Sequence, residues 1–196
     1  EPAVYRTTGI GRPGDITFKP FYAQYERRIA VYFNRYTEAE WGVAQTTLKE
    51  EQAQQKALAA RSVDVMYLGE MQPERDHNLK GEKTDAGEFM GRKWRHAADG
   101  GWFSFDLKIQ PNTPSDLVCT YWGSDSGSRM FDVLIDGVKI ATQKLQNNKP
   151  GEFFVETYPI PASQLRGKDK ITVRFQAHPG CMAGGVFGCR LVKRAK

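Results

Sequence analysis

Apolar and polar positions alternate most clearly between positions 130 and 145, where two arms flank Asp136-Gly137. Phe131, Val133 and Ile135 fall on one face of the first arm, with Asp132 on the other. In the second arm Val138, Ile140 and Thr142 share a face, with Lys139 and Gln143 opposite. Alternation with a period of two puts one face against a core and the other in water. An Asp-Gly pair supplies the positive φ angles of a type I′ turn, so the stretch predicts a β-hairpin. Strand-like runs recur at 62–68, 102–107, 117–122, 152–158, 170–176 and 186–192, and the prolines at 159 and 161 precede a single helical turn at 161–165. Short strands with turn signals between them predict an all-β fold, a β-sandwich of jelly-roll type.

The pattern changes at Thr37. Thr37 and Glu40 have the spacing of a capping box, and a helix is predicted from there to about Arg61. Its apolar residues, Trp41, Ala44, Leu48 and Leu58, form a thin stripe, which suits a connector on a surface better than a core element. Residues 1–36 carry β character at 16–19 and 29–33 but supply too few strands for a core of their own. They read as the remnant of a preceding sandwich. The domain reading is therefore a β remnant at 1–36, a connector helix at 37–61 and a sandwich at 62–196. Residues 69–96 are polar with little periodicity and read as loops with short strands; long loops in compact domains tend to be functional or to cover an edge.

Composition narrows the function classes. The chain has 196 residues, 40% hydrophobic and 26% charged, as expected of a globular protein. No apolar run is long enough to span a bilayer. The net charge of +5 is scattered apart from the tail at 193–196, so no nucleic-acid partner is expected. Three cysteines, Cys119, Cys181 and Cys189, do not make a disulfide framework, although Cys181 and Cys189 bracket a Gly-rich stretch and can pair in a secreted protein. Neither these nor His77, His96 and His178 have zinc-ligand spacing, and no cofactor or metal is expected. Calcium held by the acidic side chains and carbonyls of 69–96 is a minor alternative, without EF-hand spacing. The run 179–185 lacks the Gly-Lys-Ser/Thr ending of a phosphate loop and reads as a loop before the last strand.

Two groups of residues resemble a known family. Asp15-Ile16-Thr17-Phe18-Lys19-Pro20-Phe21-Tyr22, followed by Arg27-Arg28-Ile29-Ala30-Val31-Tyr32-Phe33, resembles the end of the β-sandwich that follows the barrel in glycoside hydrolase family 127, typified by β-L-arabinofuranosidases. Glu74-Arg75-Asp76-His77-Asn78, Gly91-Arg92-Lys93-Trp94-Arg95 and Gly100-Gly101-Trp102-Phe103-Ser104 resemble the accessory C-terminal domain of Bacteroides-type members. The resemblance implies a galactose-binding-like jelly roll, a periplasmic or extracellular location, and the catalytic (α/α) barrel of the same parent chain as partner. It carries over no catalytic residue. The family's cysteine nucleophile and zinc-binding cysteines belong to that barrel, and nothing here matches their motif.

The function expected is that of a non-catalytic accessory module with weak carbohydrate binding. The alternative is a purely structural domain that packs on the catalytic barrel; a free-standing glycosidase is least favoured. Sugar rings present apolar C–H faces to aromatic side chains, while charged groups bind their hydroxyls. The candidate binding residues are Trp94, Trp122, Arg92, Arg95, Asp99 and Arg129. Trp122 precedes a Gly-bounded loop at 123–127 that is suited to framing a cleft, whereas Trp102 opens an alternating strand and is expected in the core. For a hydrolase the carboxylate pair would come from Glu70, Glu74, Asp76, Glu82 and Asp85. The competing reading is a polar loop salt-bridged to Arg75, Lys80 and Lys83. The ligand expected is a plant-type polysaccharide or oligosaccharide, bound without insertion into a membrane.

Overall fold

A computed structural model describes residues 4–9, 14–20 and 36–194, which divide into two compact units at Lys49/Glu50. The strand expected at 29–33 lies outside the described residues. In the first unit β1 (Tyr5–Arg6) pairs antiparallel with β2 (Thr17–Phe18). The helix α1 (Glu38–Arg61) starts on the expected capping box. The Glu40 N–H donates to Thr37 Oγ1 at 3.3 Å, and the Thr37 N–H donates to Glu40 Oε2 at 2.7 Å. Two otherwise unpartnered donors are thereby satisfied reciprocally. The helix ends where the Arg61 guanidinium donates twice to the carbonyl of Lys193, at 2.8 and 3.0 Å.

The second unit is the sandwich, built from β3 (Ser62–Met66), β4 (Lys80–Phe89), β5 (Arg92–Lys108), β6 (Ser115–Trp122), β7 (Met130–Ile135), β8 (Val138–Lys144), β9 (Phe153–Pro159), β10 (Lys170–Ala177) and β11 (Met182–Lys193). Short helices α2 (Met71–Asp76) and α3 (Ala162–Leu165) sit between strands. One layer runs β8-β7-β10-β5 and the other β11-β6-β9, with β3 added on β11 and β4 on β5. The first part of β5 pairs with the first part of β11, which joins the layers along one edge. From β5 onward the chain changes layer at every connection except the β7–β8 hairpin, a jelly-roll path. β5, β6, β7 and β10 send alternate residues inward: Phe103, Phe105 and Leu107; Leu117, Cys119 and Tyr121; Phe131, Val133 and Ile135; Ile171, Val173 and Phe175. Tyr121 meets Phe131 across the layers with ring centroids 6.0 Å apart.

The hairpin turns on Asp136 (φ 48°) and Gly137 (φ 80°), as the dipeptide predicts. Its second arm differs from the expected facing. A bulge in the β7–β8 pairing lets Leu134 face Lys139 and Val133 face Ala141, which leaves Ile140 as an extra residue. Beyond it the inward face carries Ala141, Gln143 and Leu145, not Thr142, because one inserted residue reverses the facing. Gln143 is buried yet satisfied: the Tyr158 hydroxyl donates to its Oε1 at 2.8 Å, and Tyr121 and Tyr158 share a hydrogen bond of 2.9 Å. Burial pushes both phenols above their ordinary value, so they stay neutral.

Two further expectations are corrected. Much of the polar run at 69–96 is not loop: after α2 it forms β4 and the start of β5, a long hairpin turning on Met90 (φ 50°) and Gly91 (φ 73°). Trp102 faces away from the core, because its neighbours Phe103 and Phe105 set the inward phase; the Arg174 guanidinium lies 4.0 Å over its ring. Cys181 does not pair with Cys189, whose register partner on β6 is Cys119.

Candidate functional site

The site forms where the end of β4, the start of β5, the end of β6 with the loop after it, and the start of β11 come together. It is a cleft of about 500 Å³. Trp122 is the last residue of β6 and pairs with Phe153, the first of β9, their rings 4.9 Å apart. Phe89, at the end of β4, lies 5.2 Å from Trp122 on the cleft side, and Phe187 of β11 meets Phe153 edge-on at 4.8 Å. Trp94 and His96, two apart on β5 and so on one face, stack at 5.0 Å with 15° between their planes. Gly87 lies opposite Trp94 in the β4–β5 register, and a Cβ there would come within 2.5 Å of the indole, so only glycine leaves room for this ring.

The polar half comes from the loop after β6. Gly123 is held against the 145–152 connection: its N–H donates to the Glu152 carbonyl at 2.8 Å, and a Cβ on it would overlap the Lys149 carbonyl oxygen. That close approach fixes the direction in which Ser124, Asp125 and Ser126 leave β6. Asp125 pairs with Arg129 at 3.3 Å. The Arg129 guanidinium also donates to the carbonyls of Gly184 at 2.6 Å and Ser126 at 3.3 Å, and approaches Met182 Sδ at 3.4 Å. Burial raises the Asp125 carboxyl above its ordinary value, against the opposing pull of Arg129 and the Gly185 N–H. Burial lowers His96, assisted by Arg129 and Arg95 and resisted by Asp85.

A base with a lowered pKa in the fold binds fewer protons than in the unfolded chain, so the His96 contribution to stability rises with pH between its folded midpoint and the unfolded value. In an NMR titration the His96 ring should titrate below the ~6.5 of a free histidine. A midpoint at or above that value would show that the ring is not desolvated in the cleft.

Of the residues expected at a site, the structure brings Trp94, Trp122 and Arg129 into this one cleft. Arg92 stands beside it, its guanidinium 4.3 Å over the Phe153 ring. Arg95 is not available to a ligand: it forms a largely buried bidentate pair with Glu74, both bonds 2.7 Å. Asp99 does not line the cleft; it accepts from the Gly180 N–H and from Lys83, which hold its carboxyl below the ordinary range. The carboxylates considered for a hydrolase do not line it either; those that do are Glu88 and Asp125. His96 was not among the expected site residues, although its place two on from Trp94 puts it on the same strand face. Phe89 and Phe187 carry no sequence signal of their own and reach the cleft through strand pairing alone. The described residues contain no group of His, Cys, Asp or Glu arranged to hold a metal ion, and none of their helices is long and apolar enough to cross a membrane.

Fold and cleft together define an all-β sandwich domain with a ligand-sized recess, aromatic on one side and polar on the other. The chain belongs to a family of unknown function, DUF6805, which matches residues 57–192. No curated protein matches the sequence. Among solved structures it is similar to a family 35 carbohydrate-binding module from Clostridium thermocellum, with a TM-score of 0.42 and 10% identity over 60% of this chain and 93% of that one. It is also similar to CBM35 from Paenibacillus barcinonensis, with a TM-score of 0.44 and 11% identity over 59% of this chain and 93% of that one. The C-terminal CBM6 of LamC from Zobellia galactanivorans aligns with a TM-score of 0.46 and 9% identity, covering 67% of this chain and 99% of that one.

Proposed function

We propose that the sandwich is a carbohydrate-binding accessory module and that the cleft is its sugar site. The observation that carries this reading is the gathering of Trp94, Trp122, Phe89 and Phe187 around one recess that is also lined by Ser124, Asp125 and Glu88. Aromatic faces take the C–H side of a sugar ring, and hydroxyls exchange water for the polar side at little net gain. Affinity then rests on stacking and should be about millimolar, roughly −4 kcal/mol. The test is Trp122→Ala, examined by titration with arabinose- and galactose-containing oligosaccharides and by thermal melting. Binding should fall about tenfold, a loss of roughly 1.4 kcal/mol, while a cooperative melt remains. Unchanged binding would remove Trp122 from the site. A parent protein that binds no such glycan would leave support of a neighbouring domain as the better reading.

The runs resembling family 127 support a wider proposal. The domain is the C-terminal part of a larger, exported glycoside hydrolase of that type, and the catalytic barrel of the same chain is its partner. A reading frame that encodes such a barrel continuously with Glu1 would support this; one that encodes an unrelated domain there would contradict it. The sandwich itself is proposed to be non-catalytic, since none of its cysteines matches the family's nucleophile. The purified chain should therefore not turn over aryl arabinofuranosides. Turnover abolished by a substitution within residues 62–194 would overturn that proposal.

A further inference from the structure

Charge in the cleft bears on which sugars it accepts. Two carboxylates line it, Glu88 and Asp125, and one guanidinium, Arg129. All three nitrogens of that guanidinium are engaged by the protein: Nε by the Ser126 carbonyl, Nη1 by the Gly184 carbonyl and Met182 Sδ, and Nη2 by Asp125. Burial keeps the remaining titratable ring, His96, below its ordinary value and therefore neutral near pH 7. Arg92 is turned onto the Phe153 ring and is not among the lining residues. With the Asp125 charge paired to Arg129, a ligand carboxylate seated on the aromatic side would thus face the Glu88 carboxylate, with no unengaged cation among the lining residues. Sugar hydroxyls, by contrast, can donate to those same oxygens.

We propose that the cleft accepts uncharged sugar rings and discriminates against uronic acids, an inference that rests on the carbohydrate reading above. Like charges brought together oppose binding, most strongly at low salt. The test titrates the whole chain at pH 7 and low salt with a neutral galacto-oligosaccharide and with a galacturonate oligosaccharide of equal length, following cleft resonances by NMR. The neutral ligand should bind about tenfold more tightly or better, and Glu88→Gln should narrow the gap. Equal or tighter binding of the galacturonate at the cleft would overturn the charge inference and leave the carbohydrate reading standing. Absence of binding by both, and by arabinose-containing ligands, would overturn the carbohydrate reading and this inference with it.

The buried cysteines support a second, independent proposal. Cys119 and Cys189 are directly opposed on neighbouring antiparallel strands, both buried, with their sulfurs 3.3 Å apart. Directly opposed residues on such strands have Cα atoms about 4.5–5.5 Å apart, within the roughly 4.4–6.8 Å that a disulfide spans. We infer that these two, and not Cys181, form a cross-strand disulfide when the chain folds in an oxidising medium. The two thiols lose two protons and two electrons and form one S–S bond, and oxidised glutathione takes up both electrons and protons to give two glutathione thiols. After refolding in oxidised glutathione, peptide mapping should find the 119 and 189 peptides linked and no protein disulfide at Cys181. Three unlinked cysteines, or a linkage through Cys181, would overturn the inference.

Discussion

Replacing Arg95 by Ala should lower the unfolding free energy by about 3–5 kcal/mol. The size follows from what is left behind. Arg95 and Glu74 are each only 12% exposed, and the guanidinium grips both carboxylate oxygens at 2.7 Å. Arg95 Nη1 also donates to Thr84 Oγ1 at 3.2 Å, so the side chain ties α2 to the β4–β5 hairpin that walls the cleft. Without it the Glu74 carboxylate keeps the Gly69 N–H, at 2.7 Å, and remains largely out of water. An uncompensated buried charge is costly, whereas an apolar replacement of both partners can be nearly neutral. Glu74→Leu combined with Arg95→Met should therefore recover part of the loss, the remainder reflecting the Gly69 N–H left without its acceptor. Urea denaturation of the single and double variants measures both values. A loss below about 1 kcal/mol, the usual worth of an exposed pair, would show that water compensates the carboxylate left behind.

Phe175→Ala should be comparably damaging, with a loss of about 3–5 kcal/mol. Phe175 has no exposed surface. Its ring stacks on Phe103 at 5.0 Å, lies 6.2 Å from Phe105 and meets Phe131 at 6.0 Å. These rings come from β5, β7 and β10, the inner strands of one layer, and Phe131 in turn touches Tyr121 of the other. Removing the ring leaves a cavity at that junction, and the cost is the lost transfer energy plus whatever void the neighbours fail to close. The residue is not part of the cleft lining, so binding per folded molecule should not change. A small loss of stability would mean that the layers are less closely packed than their ring contacts imply.

How far the sequence foretold this arrangement depended on whether hydrophobicity or pairing decided each element. The strands of the sandwich were legible because Phe103-x-Phe105-x-Leu107 and Phe131-x-Val133-x-Ile135 repeat with period two. The start of α1 was legible because Thr37 and Glu40 do chemistry at fixed spacing. The β4–β5 hairpin was not. Glu82, Lys83, Asp85, Glu88 and Lys93 place charge along it, and a mostly exposed β4 needs no apolar face to announce it. The reversal in β8 was hidden for a different reason: one bulge residue, Ile140, changes facing without changing composition. For the site, Trp94, Trp122 and Arg129 could be chosen by residue type, but Arg95 could not be excluded without seeing Glu74 against it. The two lie 21 positions apart and meet only through the fold.

The most direct test of the central claim is a titration of the whole chain with a neutral arabinose- or galactose-containing oligosaccharide, monitored at the indole N–H resonances of Trp94 and Trp122. The expected result is saturable movement of both signals with a dissociation constant of about 1 mM, together with an unmoved Trp102 indole on the outer face. Stationary Trp94 and Trp122 signals at saturating glycan, or shifts confined to Trp102, would contradict the assignment of the cleft as a sugar site.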